Sequence, residues 1–226
     1  MSDDHPDLTV FQLADSFLPV GGYSSSYALE QFVADGTVSD AEDLAPVLAA
    51  YLRRQVGPCD LVALRAAHGA ALDEDTADLV RIDERLHATT LQREFRESAT
   101  RSGARLCDLW LETRDAPVLS DYVARDPPGH YPVVLGIVTA TAGIDADRTC
   151  RVHCHAFCSD MLGAAQRLCS FGHTAAQRVL VDLQPVMAEA VETSTDRTVA
   201  EMRSFAPLID VAAARHERAD RRLFVS

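Results

Sequence analysis

The chain has 226 residues, almost half of them apolar, and its acids outnumber its bases by thirteen. Every base other than histidine is arginine, because the sequence contains no lysine. That excludes the lysine-dependent phosphate loop and Schiff-base catalysis through lysine, and the charge is of the wrong sign for binding nucleic acid.

The length suffices for one domain with a sizeable core. No run of eighteen apolar residues is present, so nothing predicts a membrane span. The start, Met-Ser-Asp-Asp-His-Pro-Asp, is acidic and unlike a secretory signal, so a cytoplasmic location is expected. An acidic, lysine-free surface suits a salt-rich cytoplasm, where screening weakens repulsion between carboxylates. This predicts a halophilic source, such as a salt-adapted archaeon.

Taken in order, Leu8, Phe11, Leu13, Ala14 and Phe17 recur at helical spacing, and Pro19 stops that helix. Gly21-Gly22 turns the chain and carries Tyr23, and Ser24, Ser25 and Ser26 are suited to capping a second helix bearing Ala28, Leu29, Phe32 and Val33. Ser39-x-x-Glu42 reads as a capping box for a helix through Val56, which Gly57-Pro58 is expected to break. Further helices are predicted from about Asp60 and after the acidic start Asp73–Asp78. From Leu91 to Leu111 the pattern is helical again, and Arg93, Glu94, Arg96 and Glu97 read as a solvated face. Small residues at Ser98, Ala99, Ser102 and Gly103 suit a close approach by another element. Pro127-Pro128-Gly129 is the clearest loop, and the helix after it is apolar on nearly every side, as at a bundle centre. Two long helices follow, one capped by Asp145 and reaching about Cys169, the other from Gly172 with Pro185 inside it as a candidate break or kink. A last helix bears His216-Glu217. No segment alternates strongly enough to require a strand, so the prediction is an all-α, single-domain bundle of about ten helices over 1–226.

Several residues invite a chemical reading. Cys150, Cys154 and Cys158 share a helix face with His153 at its edge, but three thiolates four residues apart span about 12 Å, too far for one ion. Core cysteine is the simpler reading, and a Cys/His metal-binding sensor or metalloenzyme is the alternative. His216-Glu217-Arg218-Ala219-Asp220 lacks the second histidine of a zinc peptidase, and the three serines lack a nucleophile elbow.

Five segments resemble the UreF family of urease accessory proteins. They are Leu18-Pro19-Val20-Gly21-Gly22-Tyr23-Ser24-x-Ser26-x-Ala28-Leu29-Glu30; Arg93-Glu94-x-Arg96 with Gly103 and Leu106; Gly129-His130 with Gly136; Arg167-Leu168-x-Ser170-Phe171-Gly172-His173-x-x-x-Gln177; and His216-Glu217 followed by Arg222-Leu223-Phe224. Ala28 replaces the family's usual glycine, which would demand ordinary helical angles there, and Ser170 and His173 replace a proline and a glutamine. The resemblance implies a dimeric, non-catalytic helical protein without a cofactor of its own. Such proteins bridge the scaffold protein UreD (or UreH) to the GTPase UreG, in the assembly that inserts nickel into apo-urease. It implies that Tyr23 and Arg167 contact the GTPase. It also implies that 204–226, through Leu208 to Phe224 with His216, Glu217, Arg222, Leu223 and Phe224, docks on the scaffold.

Overall fold

The structure is a computed structural model, and it describes residues 5–21 and 27–217. Among them are eleven α-helices and no strand. The helices are α1 (Pro6–Ala14), α2 (Leu29–Ala34), α3 (Ala41–Tyr51), α4 (Leu61–Leu72), α5 (Thr76–Thr89), α6 (Arg93–Thr113), α7 (Pro117–Val123), α8 (Tyr131–Thr141), α9 (Ala146–Leu168), α10 (His173–Ser194) and α11 (Pro207–His216). A π-helical stretch, Leu52–Asp60, joins α3 to α4 without interruption. The all-α bundle agrees with the prediction of about ten helices, although α3 and α4 run on where a break is expected.

α8 is the axis of the bundle. Every residue from Pro132 to Ala140 is buried, which its lack of a polar face requires. It packs against α4, α6 and α9. The closest approach is at Gly136, where a Cβ atom would sit 2.6 Å from the Leu64 carbonyl oxygen. Gly103 of α6 plays the same part against the loop before α8, with the Gly129 carbonyl at 2.0 Å from a would-be Cβ. The small face of α6 therefore admits the chain entering α8.

Gly57-Pro58 does not break the helix. Proline lacks an amide hydrogen and its ring crowds the carbonyl four residues back. The backbone accommodates it by widening, so that the Leu61 amide bonds the Val56 carbonyl five residues back. The Arg54 carbonyl, four residues before Pro58, accepts instead from the Phe205 amide at 3.2 Å, and the Pro58 carbonyl accepts from Arg203 at 3.1 Å. The strap leading into α11 is thus stitched to a helix defect by the carbonyl groups that defect frees.

Four further expectations are settled. The cap of α3 is Asp40, whose side chain accepts from the Glu42 and Asp43 amides, while Ser39 donates to Asp43. Ala28 takes left-handed angles, φ +63°, where a Cβ costs about 1–2 kcal/mol. The chain enters α2 through a sharp corner, which is the reason glycine suits that position. Glu94 is buried and no part of a solvated face. Pro185 lies inside α10, which continues to Ser194 without a break.

Candidate functional site

A cavity of roughly 480 Å³ lies between the C-terminal end of α1, the π stretch, α6, the start of α8 and α9. Its volume falls within the range of small-molecule sites. Aromatic rings wall one side: Tyr27 lies 5.1 Å from Phe95 and 5.4 Å from Phe157, centre to centre. The burial of Tyr27 pushes its phenol well up, so it is neutral.

The polar part begins at Asp83 of α5, which no solvent reaches. One of its oxygens accepts from the Tyr122 hydroxyl at 2.7 Å and the Gly129 amide at 2.5 Å; the other accepts from His130 Nδ1 at 2.7 Å and the His130 amide at 3.2 Å. Burial alone would raise this carboxyl, but the His130 hydrogen bond and charge, with the Tyr122 and Gly129 donors, more than offset it and hold it below the ordinary value. Four donors on one carboxylate fix the Gly129 turn and the His130 ring, and leave His130 Nε2 without a hydrogen-bond partner. His153 of α9 and Gln55 of the π stretch also line the cavity. Both nitrogens of His153 and the Gln55 Oε1 are buried without partners. Asp60 Oδ2 is 3.7 Å from His153 Nε2, beyond a hydrogen bond. Asp160 is largely desolvated, which raises its carboxyl to about 6 despite the opposing pull of Arg167 and His153.

A second buried polar cluster fastens the C-terminal helix. His216 is 2% exposed, with Nδ1 at 2.7 Å from Glu94 of α6 and Nε2 at 3.1 Å from Glu30 of α2. Arg215 pairs with Asp35 at 3.4 Å, and Gln92 hydrogen-bonds Asp210. One ring therefore ties three elements far apart in sequence. Beyond this seam α11 and its strap leave Phe205, Leu208 and Val211 exposed, and α1 exposes Leu8 and Phe11.

The sequence model of the UreF family matches residues 38–184. The chain belongs to the UreF family. It is 31% identical to urease accessory protein UreF 1 of Brucella melitensis, over 97% of this chain and 92% of that protein. It is 30% identical to urease accessory protein UreF of Trichodesmium erythraeum, over 100% of this chain and 99% of that protein. The same identity holds for urease accessory protein UreF of Corynebacterium glutamicum, over 97% and 98%.

In this UreF-family chain the residues singled out from sequence are scattered. Tyr23, Arg222, Leu223 and Phe224 lie outside the described residues. Arg167 is exposed in the last turn of α9, a favourable end for a cation. His216 faces inward, so its side chain serves the chain's own packing, and Glu217 follows it at the end of α11. Cys150, Cys154 and Cys158 are fully buried, and burial pushes Cys150 and Cys158 up to about 12 and Cys154 well above its ordinary value. In the metal-free chain these side chains are neutral thiols buried in the core. Among the described residues no three His, Cys, Asp or Glu side chains converge as a metal site would require. Also among them, no helix is long and apolar enough to cross a membrane.

Asp83 is not marked by any sequence motif, and Glu94 and Glu30 stand in the matching segments without a partner being predicted for either. A signal existed for the first, since Asp83 falls on the apolar register of Leu79, Ile82 and Leu86. A lone acid on a buried stripe calls for a partner. Nothing local, however, points to His130, 47 residues later.

Proposed function

We propose that this chain is a urease accessory protein that works by presenting shaped helical surfaces to other proteins and makes or breaks no bond itself. The observation that carries the reading is family membership over residues 38–184 together with relatives of that name aligned along nearly the whole chain. The chain bridges the scaffold protein UreD (or UreH) to the GTPase UreG, and the assembly loads nickel, as cargo, into apo-urease. It acts in the cytoplasm as a homodimer, without a resident cofactor and without binding nucleic acid. A salt-rich, halophilic archaeal cytoplasm accounts for its lysine-free acidity.

The exposed apolar side chains of the α11 strap support a docking face for the scaffold, continued by Glu217 and the terminal Arg222, Leu223 and Phe224. Tyr23 and Arg167 are assigned to the GTPase. Both are residue types enriched among binding hot spots, and Arg167 is exposed. The test is affinity capture of the GTPase by the chain with its scaffold protein, comparing wild type with Tyr23→Ala and Arg167→Ala. Weaker recruitment with unchanged helical content is expected, and full recruitment by both variants overturns the assignment.

A further inference from the structure

We propose that the cavity between α1, α6, α8 and α9 is a binding site for a small aliphatic amine carrying two or more protonated nitrogens. The lining is rich in hydrogen-bond acceptors and poor in cations. Asp60, with Oδ2 3.7 Å from His153 Nε2, Asp160 and the exposed Asp15 all line it, and no arginine lines the cavity among the described residues, although Arg167 acts on Asp160 from outside it. The unpaired atoms point the same way. His130 gives its Nδ1 proton to Asp83 and its Nε2 is unsatisfied, while Gln55 offers an unpaired carbonyl oxygen. His153, 7% exposed, has neither nitrogen bonded. Buried polar atoms are rarely left so, because each gives up its hydrogen bonds to water without replacement. One ring nitrogen of each histidine carries its proton, so His130 Nε2, one nitrogen of His153 and the Gln55 Oε1 are three acceptors lining one cavity that donors complete.

The class of donor follows from how the acceptors are spread. A metal ion needs three or four ligands converging within about 2–2.5 Å, and no such convergence exists among the described residues. A dispersed set of acceptors in roughly 480 Å³ suits a longer molecule with donors at both ends. Apolar and aromatic side chains, including Leu13, Leu18, Tyr27, Phe95 and Phe157, line the same cavity and fit a methylene stem. The aromatic faces add cation–π attraction for an ammonium head. An amine seated beside Asp160 requires the ionised carboxylate, so binding strengthens as pH rises through the range near 6 where that group titrates.

The test is isothermal calorimetry of the full chain with 1,4-diaminobutane and with spermidine at fixed ionic strength, with 1,4-butanediol as the neutral control of equal stem. Saturable one-to-one binding of the amines, absent for the diol, is expected. Asp160→Asn and Asp60→Asn, checked for unchanged circular dichroism, are expected to weaken it at least tenfold each. Should a variant misfold, imidazole resonances of His130 and His153 in the wild type serve instead, and they are expected to shift and saturate with amine. Equal response to the diol, no saturation, or full affinity in both variants overturns the proposal. So does stoichiometric nickel or zinc uptake with no response to amine. These outcomes are independent of whether the GTPase and scaffold assignments hold.

Discussion

The two sides of α8 are built in opposite ways. Against α4 it forms a dry seam in which Gly136 lets the backbones come close, and around the helix Val133, Val134, Ile137 and Val138 are all at 0% exposure. At its start, against α5 and α9, it enters a polar region where Asp83 gathers four donors and His130, His153 and Gln55 keep unpaired atoms. The dry seam is held by volume, so its weak point is any added atom. The polar region is held by matched hydrogen bonds, so its weak point is any removed partner.

That contrast is broken most strongly at Asp83. Asp83→Ala strips partners from Tyr122, Gly129 and His130 at once and is expected to cost about 3–5 kcal/mol in urea unfolding, as for other buried ionic networks cut on one side. The sign with pH is definite. A carboxyl lowered in the folded state stabilises fully above the ordinary range near 4, and that stabilisation is lost as pH falls through its folded value. The variant is therefore expected to be less sensitive to acid than wild type. Equal acid sensitivity would show that Asp83 is not the carboxylate responsible.

Asp160 sharpens the comparison with the opposite sign. Its raised carboxyl favours the folded state below the unfolded value near 4, and that advantage is lost as pH rises through about 6. Asp160→Asn is expected to stabilise the ligand-free chain at pH 8 by up to about 2–3 kcal/mol and to leave it nearly unchanged at pH 4. A variant no more stable at pH 8 would show that burial costs this carboxylate little.

On the dry side the expected effects are smaller. Gly136→Ala puts a methyl against the Leu64 carbonyl and is expected to cost about 1–3 kcal/mol by overpacking. Gly69→Ala, on α4 with nothing within 4 Å of the new atom, is expected to gain up to about 1 kcal/mol from helix propensity. If the two shift the unfolding midpoint in the same direction, the seam is looser than its geometry shows. The smallest effect is expected at Ala28. There Ala28→Gly relieves about 1–2 kcal/mol of left-handed strain but loses a buried methyl worth about 0.8 kcal/mol and adds unfolded-chain freedom, for a net change within about 1 kcal/mol. A loss well above that would mean the corner is ordinary helix.

Much of the bundle was legible in the residues alone. The all-apolar run after Gly129 is the central helix, Asp145 caps α9 through the Arg148 amide, and Gly36 and Gly143 stand beyond helix ends at positive φ. Such features rest on contacts within a few residues, where hydrogen-bond geometry and side-chain periodicity act over the chain's own short range. The Gly57-Pro58 junction misled for a related reason. Proline's local rule was right about the missing amide, but a strap about 150 residues away satisfies the Arg54 carbonyl and lets the helix run through.

The residues alone thus specify an all-α chain, most of its helix limits and its dry core, because those follow from local propensity and the burial of apolar faces. Only the tertiary structure decided that Asp83 holds His130, that His216 lies between Glu94 and Glu30, and that the acceptors of α9 and the π stretch share one cavity. Charged side chains carry no periodic mark of their partner. A buried acid is paid for by a donor that folding alone brings to about 3 Å from it, and here those donors come from 39 to 186 residues away.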